Sequence, residues 1–111
     1  MNLSFSIVDN CLIVHLCGEL DHHSAEEVRI KIDDRIDRDN INKLILNFRD
    51  ITFMDSSGIG VVIGRYKKLK NKGGKICVVE VNKRVDKVFS LSGLYKIIDC
   101  YRNIEEAIGN I

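Results

Sequence analysis

The chain predicts an α/β fold: a small sandwich that opens on a β-hairpin and continues as alternating helices and strands, with a mixed sheet and helices chiefly on one face. Three observations carry this. Residues 3–8, LSFSIV, alternate apolar and polar side chains at the period of a strand. Ala25, Val28, Ile32 and Ile36 recur at helical spacing with charges between them. From residue 43 onward, short apolar runs alternate with helical stretches, the pattern of parallel strands joined by right-handed crossovers.

Each element follows in order. Asp9-Asn10 is turn chemistry, so residues 11–17 return as the second arm of a hairpin, with Leu12, Val14 and Leu16 on one face and Gly18 at the end. Residues 24–37 form a helix. Ser24 and Glu27 have capping-box spacing, Asp21 is a competing N-cap, and Asp39-Asn40 closes the helix. KLILNF, residues 43–48, is a short apolar strand. Ile59, Val62, Ile63, Tyr66 and Leu69 mark the next helix, stopped by Gly73-Gly74. KICVVEV, 75–81, is a central strand; Asn82 caps a helix with Val85, Val88 and Phe89 inward, ended by Ser92-Gly93. Tyr95 to Ile98 make a last strand, and Asn103 caps a final helix to Ile108.

The bulk properties narrow the function. A length of 111 residues is one domain, 1–111, with no linker or repeat. A net charge of +1 calls for neither nucleic acid nor an anionic membrane, and the absence of Trp, with three Tyr and four Phe, is thin material for base stacking. There is no basic leader and no apolar run approaching the ~20 residues that span a bilayer, so a cytoplasmic protein is expected. The basic cluster Arg65, Lys67, Lys68, Lys70, Lys72 and Lys75 sits on the back half of a helix, where cations complement the dipole; a solvated face accounts for it better than RNA. Of Cys11, Cys17, Cys77 and Cys100, none forms C-x-x-C. Cys11 and Cys17 share a strand face with His15, but buried or half-buried thiols in a reducing compartment account for them better than a metal site.

Ligands of α/β sheets gather at the carboxyl ends of the strands. Two loops meet there: GELDHHS, 18–24, and FRDITFMDSSG, 48–58. Asp55, Ser56 and Ser57 can all cap the helix that follows. Capping does not explain Gly58 and Gly60, which weaken a first turn by up to ~1 kcal/mol each and leave its surface bare for a partner. A nucleophile elbow needs G-x-S-x-G, which neither serine satisfies, and His15, His22 and His23 all precede them. Gly58, Gly60 and Gly64 are one residue off a dinucleotide-binding spacing and fit close helix packing better. The remaining reading is a phosphoacceptor. Ser56, exposed at a helix N-terminus beside Asp55 and near Asp21, would gain about −1.5 to −2 charges on phosphorylation. Ser57 is its chemical rival, and spacing does not choose between them.

At these residues the chain resembles a known family. GELDHHSAE at 18–26, FMDSSGIGVVIGRYK at 53–67 and LSGLYKII at 91–98 are similar to the anti-sigma factor antagonists, whose fold is the STAS domain shared with sulphate transporters. Within that family the match is to the sporulation branch, over nearly the whole chain. The resemblance implies a partner switch in transcription regulation. The unphosphorylated protein binds a nucleotide-bound anti-sigma factor that is also a serine kinase, and so releases a sigma factor. The kinase phosphorylates the serine after the motif aspartate, here Ser56, and a PP2C-type phosphatase restores it. The implied contact set is Asp21, His22, Asp55, Ser56, Ser57, Gly58 and Ile59. The chain itself is then no enzyme and carries no cofactor or metal. The alternatives are the same domain in a general stress cascade and a nucleotide-binding or hydrolysing protein.

Overall fold

The computed structural model describes all of residues 1–111. Alternation makes the first hairpin: β1 (Asn2–Val8) pairs antiparallel with β2 (Cys11–Leu20), and Asp9 and Asn10 take positive φ angles of 50° and 65° in the tight turn between them. The chain then crosses through α1 (Ala25–Arg38) to β3 (Lys43–Met54), through α2 (Ser56–Asn71) to β4 (Lys75–Val79), and through α3 (Lys83–Ser92) to β5 (Asp99–Tyr101). It ends in α4 (Ile104–Asn110). Strand order is sequential, β1-β2-β3-β4-β5, and every pairing after the hairpin is parallel. The mixed sheet and alternating order are those expected.

The helices divide unequally between the two faces. Leu12, Val14, Leu16, Leu44, Leu46 and Phe48 face α1, α2 and α3 in a core of 23 buried residues that includes Val28, Ile32, Val62, Leu69 and Phe89. The other face holds only six, among them Cys11, Ile13, Ile45 and Cys77, covered by Ala107 of α4. No helix is long and apolar enough to cross a membrane.

The second strand runs past Gly18 to Leu20, and the central strand stops at Val79 rather than at residue 81. Three further differences from the sequence expectation have a visible cause. First, β3 runs on through residues 48–54, which read as loop. After irregularities in register between His15 and Cys17 and between Gly18 and Glu19, it pairs with the end of β2 as far as Leu20↔Met54. Its far side is held by the start of α3, where Asn82 Nδ2 donates to the Ile51 carbonyl at 2.8 Å and Arg84 to the Thr52 carbonyl at 2.6 Å. Tertiary partners thus make a strand of a charged stretch with no apolar run. Second, Tyr95–Ile98 is not a strand. Gly93 leaves α3 at φ +77°, and Leu94–Lys96 closes a 3-10 turn through the Lys96 amide bonded to the Gly93 carbonyl. The last strand is Asp99–Tyr101. Third, the Ser24–Glu27 capping box does not form, and Glu27 instead pairs with Lys31 at 2.6 Å.

The turn after α2 shows why two glycines stand there. Gly73 takes φ +72°, and a Cβ on Gly74 would land on the Asn42 carbonyl oxygen, which accepts the Lys75 amide at 2.8 Å. That approach sets β4 beside β3.

Candidate functional site

The two loops expected at the carboxyl end of the sheet do meet. Leu20 and Met54 are register partners on adjacent strands, and the Asp55 amide donates to the Leu20 carbonyl at 3.3 Å. Asp21 and Asp55 are therefore the residues that follow a paired position on neighbouring parallel strands.

Each aspartate folds its own turn. Asp55, extended at φ −117° and ψ −169°, is the N-cap of α2: its carboxylate accepts the Ser57 amide at 2.8 Å, and its carbonyl the Gly58 amide at 3.0 Å. Asp21 Oδ1 accepts the amides of His23 at 2.9 Å and Ser24 at 3.2 Å. Ser24 Oγ accepts the Asp21 amide and donates to the Glu19 carbonyl at 2.8 Å. Desolvation works to raise the Asp21 pKa, but the His23 and Ser24 amides outweigh it and hold the carboxyl below its ordinary value. Asp21, not Ser24, supplies the side-chain acceptor at the start of α1.

The two serines separate in space. Ser56, first residue of α2, is exposed; Ser57 is half-buried and turned toward α1. Together with Ala25, Glu26, Arg29, Gly60 and Val61, Ser57 lines a groove of about 230 Å³ between the first turns of the two helices. His22 and His23 are exposed, their rings 3.9 Å apart. On the other side of Asp21 an acidic concavity gathers Glu19, Asp21 and Glu27. Met1 and His23 line it too, and Ser56 does not. The carboxylates tied to the Ser56 turn are Asp55, its chain neighbour, and Asp21, joined to it through the Asp55 amide on the Leu20 carbonyl.

The glycines correct the sequence reading. Gly58 is buried, and a Cβ there would run into the Met54 side chain and approach Leu20 Cγ to 3.1 Å; it is small because the ends of β2 and β3 lie beneath it. Ile59 is buried as well. Gly60 and Gly64 touch nothing that a Cβ would meet, so close packing does not account for them, and Gly60 is the position that leaves the helix surface bare. A separate cavity lined by Tyr66, Lys75, Cys77, Ile97 and Tyr101 lies at the start of β4, the opposite end of the parallel strands.

One polar residue was misplaced by the sequence. Arg65, assigned to the solvated basic face, is buried, with its Nε 2.8 Å from Asp33 Oδ1 of α1. The N–H is misaligned with the oxygen, so the contact is an ion pair rather than a directed hydrogen bond. Desolvation lowers the guanidinium pKa and Asp33 pushes it back. The signal was available: positions 58, 62, 65 and 69 form one inward stripe, and an arginine in it needs an acidic partner. Two of the thiols also differ. Cys11 and Cys77 are buried, the latter pushed up to about 12 by desolvation, whereas Cys17 and Cys100 are exposed. His15 bonds Asp50 at 2.6 Å, and no group of three or more His, Cys, Asp or Glu side chains is placed to hold a metal.

Comparison with known proteins turns this geometry into a family. The model of the STAS domain matches residues 2–107. The chain belongs to the STAS family. Among similar STAS proteins, an anti-sigma F factor antagonist of Paenibacillus polymyxa is 44% identical over 97 residues, 87% of this chain and 83% of the relative. The crystal structure of Thermotoga maritima TM1081 superposes with a TM-score of 0.93 at 28% identity, covering 98% of this chain and 93% of that one. The anti-sigma factor antagonist SpoIIAA matches in two states, each with a TM-score of 0.75. The unphosphorylated form is 32% identical over 97% of this chain and 96% of its own. The phosphorylated form is 35% identical over 97% of each.

Proposed function

We propose that this STAS domain is an anti-sigma factor antagonist switched by a phosphate on Ser56. Unphosphorylated, it binds a nucleotide-bound anti-sigma factor that is also a serine kinase and thereby releases a sporulation sigma factor. Phosphorylated, it lets go, and a PP2C-type phosphatase restores it. The observation that carries this reading is the exposed Ser56 hydroxyl on the first residue of α2, beside two aspartates already committed to capping. The helix N-terminus tolerates the added charge without unfolding. A docked partner would not. Two unit charges at 4 Å repel by ~1 kcal/mol in water and ~4 kcal/mol at an effective dielectric of 20. A loss of ~3 kcal/mol weakens binding more than about a hundredfold. The proposed contact surface runs from Asp21 and His22 to Asp55, Ser56 and Ser57. Gly58 supports this surface from beneath, seated against Met54 and Leu20, and Ile59 anchors the same turn in the buried core.

Intact mass with fragment mapping, after incubation with ATP and the kinase encoded beside this gene, tests the assignment. One phosphate on Ser56, absent from Ser56→Ala and retained by Ser57→Ala, is expected. A Ser56→Ala protein that is still fully phosphorylated overturns it. The relatives in which an antagonist carries the anti-sigma F name favour the sporulation branch over a general stress cascade.

A further inference from the structure

We propose that β1 is a self-pairing edge, through which two copies of this chain join antiparallel into one continuous sheet. The two margins of the sheet are built differently. β5 is three residues long and carries Asp99, the blunted edge that discourages strand addition. β1 runs for seven residues, NLSFSIV, without a charge, a proline or a break in register against β2. Its Ile7 and Val8 are 48% and 42% exposed. An uncharged, unbroken edge of this length leaves a row of backbone donors and acceptors open to another strand.

Alternation makes this edge self-complementary. Leu3 and Phe5 pack toward the core on the α1 side, while Ser4 and Ser6 are exposed on the other. A two-fold axis at Phe5 sets Leu3 opposite Ile7 and Ser4 opposite Ser6 of the second copy, so like faces meet along the whole strand.

The flank of α1 fits the same axis. Arg35 lies over the Phe5 ring at 4.8 Å, and Asp33 faces Arg65 on α2, which fixes the rotation of the helix. At 3.6 residues per turn, Glu27, Lys31, Asp34 and Arg38 then form a stripe on the side beyond Arg35, away from α2. Its signs run minus, plus, minus, plus. Within each copy Glu27 already pairs with Lys31 and Asp34 with Arg38. Turned antiparallel, Glu27 also comes opposite Arg38 of the second copy and Lys31 opposite Asp34, so opposite charges rather than like ones face each other across the axis. A seven-residue edge with one helix flank is a small contact, and the dimer expected is weak and concentration-dependent.

Sedimentation equilibrium from micromolar to millimolar protein tests this, comparing wild type with the exposed-face double variant S4K/S6K. In the paired strands that variant sets lysine opposite lysine twice. Wild type should approach twice the 12.6 kDa chain mass as concentration rises. The variant should need at least about tenfold more protein to do so, with an unchanged circular dichroism spectrum. A wild type that stays monomeric to millimolar concentration overturns the proposal, and so does equal dimerisation of both proteins, which would place the contact elsewhere. If S4K/S6K misfolds, backbone amide shifts of wild type decide: concentration-dependent changes confined to β1 and α1 support the pairing, and their absence overturns it.

Discussion

At the residue scale, the site rests on two aspartates doing structural work beside one free serine. Asp55→Ala removes the acceptor of the Ser57 amide and should cost ~1 kcal/mol of stability, read by urea unfolding. Asp21 makes a pH prediction. Its folded pKa is depressed, so its contribution is fully present above the unfolded value of about 3.9 and is lost as pH falls through the folded value. Wild type should therefore be more stable than Asp21→Asn at neutral pH, and the gap should close in acid unfolding curves. A gap that stays constant down to the lowest pH would show that the carboxylate charge is not what the turn uses. Most of these residues were legible as a constellation, because D-S-S-G and L-D-H-H each combine cap chemistry with a position between strand and helix. Their division of labour was not. Spacing could not tell Ser56 from Ser57, since one faces solvent and the other α1 only once the helix rotation is fixed by Val61, Val62 and Leu69 packing inward.

At the element scale, α1 and α2 are joined by the Asp33–Arg65 pair. Arg65 has a side chain 7% exposed, while Asp33 retains 20%. The asymmetry decides which partner is missed more. Asp33→Ala leaves a buried guanidinium without its carboxylate and should cost ~3 kcal/mol or more. Arg65→Met leaves a carboxylate that water can still reach and fills the space with an apolar chain, so its cost should be smaller. The double variant should fall short of the sum of the two, measured as a thermodynamic cycle. Equal single costs would mean that packing rather than charge dominates. The same physics limited the reading of the sequence. Periodicity located the first three helices and the apolar strands because burial writes that pattern, and the fourth helix was marked by its Asn103 cap. The second half of β3 and the strand β5 are held by partners distant in sequence, Asn82 and Arg84 for one and the edge of β4 for the other, and they carry no pattern of their own.

At the scale of the whole molecule, the proposed switch must act without remodelling the fold. The turn that carries Ser56 is clamped from below by the Leu20↔Met54 register, by Gly58 seated on Met54 and Leu20, and by the Asp55 amide on the Leu20 carbonyl. Beneath it, Phe48 and Phe89 meet edge to face at 5.1 Å in a core without exposed members. A phosphate on Ser56 projects outward from this assembly and offers no leverage on it. Phosphorylation should therefore change the surface charge and little else. Amide exchange protection in residues 44–48 and 76–79 should be the same in both forms, with chemical-shift changes confined to 20–24 and 55–60. The phosphorylated protein should nonetheless lose its partner by more than about a hundredfold. Altered protection in β3 or β4 would mean that the phosphate works by loosening the sheet, and the electrostatic account of release would have to give way to a conformational one.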